Sequence, residues 1–158
     1  MYLKIGDKAP DFTLKNYDGK NISLSDLNNS SILLWFFPKA NTPGWAVEGQ
    51  GFRDEFKKFE DENIKVVGVS ADSPDKQKKF VKKYNFQYLM LCDEEHTMLK
   101  AYKAWGPKKF MGREYDGIHR ISYLIDDKGI VKQVYDKVKT KSHACDVLES
   151  LWWLNKNL

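Results

Sequence analysis

The order of elements in this 158-residue chain predicts an α/β protein with a central mixed sheet flanked by helices. Apolar, strand-like runs alternate with amphipathic helical stretches, the pattern in which parallel strands are joined by helical crossovers. A β-hairpin and a last helix then close the chain, adding an antiparallel pair. The run ILLWFF at Ile32–Phe37 is apolar throughout, as a central strand covered on both faces would be.

Asp11–Leu14 and Asn21–Leu24 are short β runs around the turn pair Asp18-Gly19, and Ser23–Leu27 is suited to a short helical turn. The strand Ser31–Phe37 stops at Pro38. After the loop PKANTPG, a helix is expected from about Trp45 to Glu60, because Phe52, Phe56 and Phe59 fall at i, i+4 and i+7. Ile64–Ala71 reads as the next strand. Ser73 as N-cap and Pro74 at the first position open a second helix.

Tyr88–Glu94 is a third buried strand. Glu95–Trp105 is a third expected helix, with Met98, Tyr102 and Trp105 on one side. Two β runs around Asp127-Lys128-Gly129 form the hairpin, and the last helix, from about His143 to Leu154, places Val147, Leu148, Leu151 and Leu154 inward. Of Trp152 and Trp153, one is expected in the core and the other stays unassigned. With no repeat, low-complexity tract or linker, residues 1–158 are expected to form one domain.

Composition narrows the function classes. Hydrophobic residues at 42% and charged residues at 30% describe a folded globular chain. The net charge of +4 is spread among acids, as in KKFEDE, which argues for solvated helix faces and against a nucleic-acid surface. No run approaches the roughly 18 apolar residues of a membrane span, and Lys4, Asp7 and Lys8 interrupt any secretory leader. Cys92 and Cys145 are too few for a disulfide scaffold and suit a cytoplasmic setting. Both are expected to be small core-filling thiols. His96, His119 and His143 lack metal-ligand spacing, so no metal or other cofactor is expected.

The strand–loop–helix at Leu33–Phe59 carries the chemistry. A side chain in the first helical turn lies beside unpaired backbone N–H groups and the positive end of the macrodipole. A thiol there ionises more readily, its pKa falling from about 8.5 into a range of about 3.5–7.5. Pro38 and Pro43 stiffen the approach, and Thr42 offers a hydroxyl. Yet the first turn holds Trp45, whose indole N–H only donates and has no lone pair for attack.

The segment FFPKANTPGWAVEGQGFRDEF resembles the active-site segment of the peroxiredoxins, in particular the bacterioferritin-comigratory or PrxQ branch. Pro38, Thr42, Pro43, Gly44, Glu48 and Phe52–Asp54 match, with a cysteine expected where Trp45 stands. GDKAPDFTL, VVGVSADSPDKQKKF, LCDEEHTMLKAYKAWG and GIHRISYLIDDKG extend the likeness over nearly the whole chain. The resemblance implies a thioredoxin-like fold with a short N-terminal β-rich extension. It also implies a thiol peroxidase of antioxidant defence, acting on hydrogen peroxide and organic hydroperoxides. Electrons would come from an external thiol such as thioredoxin or glutaredoxin, and the protein would be a monomer or weak dimer.

The same resemblance implies roles. Trp45 occupies the peroxidatic position, Thr42 is the hydroxyl donor, Arg120 the guanidinium, Pro38 the shield against water, and Glu48 a carboxyl near the arginine. Gln50 stands where many members carry a resolving cysteine, so single-cysteine chemistry is expected. Three origins fit Trp45: an inactivating replacement of cysteine, a selenocysteine codon changed or read as tryptophan, and natural loss of catalysis. With Trp45 the chain is expected to be inactive. The alternative reading is a non-catalytic thioredoxin-like binding or chaperone module.

Overall fold

The computed structural model describes residues 2–27, 30–37, 43–136, 138–139 and 142–156, and the side chains among them other than those of 43–45, 110 and 152–156. The chain begins with β1 (Thr13–Asn16) and β2 (Asn21–Ser23). Between them Asn16 Oδ1 accepts from the backbone N–H groups of Asp18 and Lys20, at 2.9 and 3.0 Å. A 3-10 turn at Leu24–Leu27 leads to β3 (Ser31–Phe36). The parallel strands β4 (Ile64–Ser70) and β5 (Leu89–Cys92) follow through helical connections.

β8 (Ser122–Ile125) and β9 (Val131–Tyr135) form the closing hairpin. Among the described residues, seven strands lie in the order β2-β1-β5-β4-β3-β8-β9, with β3 between a parallel and an antiparallel neighbour. The N-terminal pair widens this sheet, since β1 pairs antiparallel with β5.

β3 divides the core. Ile32, Leu34 and Phe36 enter one apolar cluster, and Leu33, Trp35 and Phe37 enter the other. This is the alternation of a pleated strand buried on both sides, which explains a run with no polar residue.

Four details depart from expectation, each for a local reason. The helix expected over Trp45–Glu60 is two, α1 (Pro43–Asp54) and α2 (Phe56–Asp61), interrupted where Glu55 adopts ψ of 10°. The helix expected over Glu95–Trp105 is only α4 (Thr97–Ala101). Lys103 turns left-handed at φ 58°, and the Ala104 and Lys103 N–H groups close back on the Leu99 and Lys100 carbonyls. That is a Schellman ending, without the usual glycine.

Trp105 therefore begins a strand. β6 (Trp105–Phe110) and β7 (Arg113–Ile118) make a separate two-stranded ribbon not foreseen from the sequence. Its tip, Met111-Gly112, has φ of 51° and 79°, the two left-handed residues of a tight hairpin. Last, Cys92 is buried as expected but Cys145 is exposed, its Sγ 3.7 Å from Glu55 Oε1. On α5 (His143–Lys156) the inward positions are Ala144 and Val147, which turns position 145 to solvent. Leu148 and Leu151 pack against the same cluster, while the side chains of Trp152, Trp153 and Leu154 lie outside the described residues.

The second helix forms where its cap signals place it. α3 (Pro74–Tyr84) has Ser73 as N-cap, accepting from the Lys76 N–H, and Asn85 closes it in the left-handed region. Among the described residues, no helix is long and apolar enough to cross a membrane.

Candidate active site

α1 begins beyond the carboxyl end of β3, the central strand, so its N-terminal N–H groups open at the edge of the sheet. Trp45 lies in its first turn; its side chain, and the whole of Pro38 and Thr42, fall outside the described residues. Sheet register brings a distant residue to the same edge. β3 and β8 pair antiparallel with Trp35 opposite Ser122, and two steps further along Arg120 comes level with Phe37. Arg120 is held between two anchors: the His119 N–H donates to the Ala104 carbonyl at 2.6 Å, and the Phe36 N–H to the Ile121 carbonyl at 3.3 Å.

Glu48 lies three residues after position 45, hence on the same side of α1. It is only 1% exposed. Burial pushes its carboxyl up to about pKa 8, and the Arg120 charge opposes that rise. The charge of Arg120 thus acts on a buried carboxyl one turn from position 45. Lys108 on β6 is a second cation nearby. Its pKa is lowered first by burial and then by Arg120, and its Nζ donates to the Ile118 carbonyl at 2.9 Å.

A second buried group stands behind Glu48. His143, at the start of α5, places Nε2 3.8 Å from Glu48 Oε1 and 2.8 Å from Ser122 Oγ. Burial pushes the imidazole down to about pKa 4, against the pull of Asp146. At neutral pH the carboxyl is therefore protonated and the imidazole neutral, so the 3.8 Å approach is a contact between uncharged groups. An ion pair there would need two charges taken from water without enough hydrogen bonds to offset the loss.

The helix floor is equally specific. Gly49 lets α1 lie against Phe86 and Tyr88: a Cβ built on it would sit 2.6 Å from Phe86 Cζ. Tyr88 donates its hydroxyl to the Gly49 carbonyl at 2.9 Å. The FRD stretch serves structure. Phe52 is fully buried, and Arg53 donates to the Tyr84 carbonyl at the end of α3 at 2.7 Å, where a cation favours the helix dipole.

Of the residues expected from the sequence, Glu48 lies buried on α1 within the electrostatic reach of Arg120, and Trp45 stands by its backbone one turn before Glu48. His143, Ser122 and Tyr88 were missed. A histidine opening an otherwise apolar helix pattern was the only signal for His143, and nothing local links it to Glu48, 95 positions earlier.

A central strand followed by a helix on a mixed α/β sheet, with helices on both faces and an antiparallel closing hairpin, defines the class: a thioredoxin-like scaffold. Residues 5–134 match the AhpC/TSA family, and the chain belongs to it. It is 41% identical over 155 residues to peroxiredoxin Bcp of Escherichia coli (strain K12), covering 98% of this chain and 97% of the relative. Peroxiredoxin Bcp of Bacillus subtilis is 41% identical over 151 residues, covering 96% of each.

A cysteine-to-serine mutant of PrxQ from Xylella fastidiosa superposes with a TM-score of 0.91 at 30% identity, over 98% of this chain and 99% of that one. The fold is thus the thioredoxin-like fold of Bcp and PrxQ proteins. The family activity is that of a thiol-dependent peroxidase, an oxidoreductase.

Proposed function

We propose that residues 1–158 form one peroxiredoxin domain of the PrxQ kind, with the reacting atom belonging at position 45 as a cysteine or selenocysteine. The supporting observation is that Arg120 acts electrostatically on Glu48, one turn along α1 from that position. In this reading a thiolate or selenolate, favoured by the helix start and Arg120, attacks the terminal oxygen of a hydroperoxide. The O–O bond breaks, and water or alcohol leaves after taking a proton. Sulfur or selenium is oxidised to the sulfenic or selenenic acid. Two external thiol equivalents, from a thioredoxin- or glutaredoxin-type donor, then reduce it and release water.

Thr42 and the backbone N–H groups would hold the peroxide oxygens, Arg120 would stabilise the charge that develops as the O–O bond breaks, and Pro38 would shield the pocket. The setting proposed is cytoplasmic, with the protein a monomer or weak dimer. Trp45 supplies no nucleophile, so the chain with its indole does not turn over peroxide.

The test is coupled peroxide consumption by this chain beside its Trp45→Cys and Trp45→Sec forms. Activity should rise by about three orders of magnitude or more on restoring the chalcogen. Equal turnover by all three would remove position 45 from the mechanism. Failure of both substitutions to confer activity would favour a non-catalytic binding or chaperone module.

A further inference from the structure

We infer that His143 is a positioning residue for the reaction at position 45: held by Ser122, its imidazole backs the Glu48 carboxyl and fixes where it stands in the field of Arg120. The inference deepens the proposed function and rests on position 45 being the reacting centre.

The geometry is a chain of three side chains from three elements. Ser122 opens β8, two residues after Arg120; His143 opens α5; Glu48 sits on α1, one turn after position 45. The Ser122–His143 hydrogen bond is 2.8 Å, and both residues are buried, at 0% and 3% exposure. The imidazole plane is set by edge contacts with the rings of Phe52 and Tyr135, whose centroids lie 5.6 and 5.8 Å away.

Glu48 Oε2 is buried with no hydrogen-bond partner among the described residues. A buried oxygen left this way is costly unless something occupies the space it faces during the working cycle. Backed by His143 on Oε1, the carboxyl has one free edge, and the charge that acts on it is that of Arg120.

The protonation states make the arrangement useful. A carboxylate against Arg120 would cancel the charge that a thiolate at position 45 needs. A protonated carboxyl backed by a neutral imidazole leaves the charge of Arg120 uncancelled. Burial drives both groups to their uncharged forms at neutral pH.

The test uses the full chain carrying Trp45→Cys. Peroxide reduction is measured beside the pH dependence of alkylation of the thiol introduced at position 45, followed by peptide mass spectrometry so that Cys145 does not interfere. His143→Phe should lower kcat/KM for hydrogen peroxide by about tenfold and move the thiol titration to higher pH, while His143→Gln, which keeps a donor near Nε2, should return both to within about twofold. Ser122→Ala should give a smaller change in the same direction, and it carries the test if His143→Phe does not fold.

A His143→Phe chain with unchanged rate and titration overturns the inference and leaves the peroxidase reading standing. So does a loss of thermal stability in both His143 variants without movement of the titration. A Trp45→Cys parent without peroxidase activity overturns the functional reading, and the inference falls with it.

Discussion

Burial displaces the protonation of groups on both faces of the central sheet, but the two faces differ in how their polar atoms are satisfied. On the face of Ile32, Leu34 and Phe36, the prominent polar groups are satisfied. Tyr102 donates to the Pro10 carbonyl at 2.6 Å, Tyr123 donates to the Tyr102 carbonyl at 2.7 Å, and Asp93 accepts from the Leu99 N–H at 2.8 Å at the start of α4. On the face of Leu33, Trp35 and Phe37, Trp35 Nε1 and Glu48 Oε2 are buried without partners among the described residues, and Glu48 and His143 are both displaced from their ordinary protonation behaviour. The first face is built to hold. The second carries unsatisfied polarity next to α1, where a functional site can use it.

Substitutions should separate the faces. In the Trp45→Cys chain, Arg120→Ala is expected to reduce kcat/KM for peroxide by about a hundredfold, as loss of one transition-state donor commonly does. Because Arg120 is exposed, the melting temperature should hardly change. A large loss of stability instead would make Arg120 a structural residue and erase the contrast.

Next in size is Gly49→Ala. The added methyl meets Phe86 at 2.6 Å and Tyr88 at 3.0 Å, and overpacking of this kind costs about 1–3 kcal/mol. Urea unfolding should show the loss. An unchanged midpoint would mean α1 moves freely over these rings.

The pH dependence of stability sharpens the comparison further. Glu48 is raised on folding from 4.5 to about 8, so its contribution is fully present below pH 4.5 and is lost as pH rises toward 8. His143 is lowered from 6.5 to about 4, so its contribution is present above pH 6.5 and lost as pH falls toward 4. The two largely offset between about pH 4.5 and 6.5, and above that range stability should decline to about pH 8. Around them stand Arg120, Asp146 and Tyr88, with Arg53 acting on Tyr88. Glu48→Gln should flatten the decline in denaturant titrations between about pH 6.5 and 8; an identical slope would exclude Glu48 as its source.

The smallest effect belongs to the other face. Tyr123→Phe removes the buried bond to the Tyr102 carbonyl and the longer one from the Leu3 N–H, and should cost about 1–2 kcal/mol, with peroxide reduction by the Trp45→Cys chain unaltered. Altered activity would show that the faces are coupled through β3.

How much was legible in the chain follows from the range of the forces involved. The cap at Ser73, the turn at Asp18-Gly19, the buried run of β3 and the hairpin of β8 and β9 are set by neighbours a few residues apart, and each forms as the pattern suggests. The Glu95–Trp105 stretch has helical spacing, yet its helix ends at Ala101 because Lys103 accepts a left-handed turn and Trp105 pairs with Ile118. The Met111-Gly112 turn was visible in principle: a glycine-bearing two-residue loop between strand-competent runs.

The site divides along the same line. Position 45, Glu48 and the helix they share are readable because three residues of one helix span less than a turn, and the motif around them names the chemistry. The approach of Arg120 depends on the register of β3 against β8, and that of His143 on how α5 packs across α1. Neither distance is encoded in any local pattern, since burial of apolar surface is indifferent to which polar side chains it carries inward. The chain's own letters supply the motif, and folding supplies the charge environment around it.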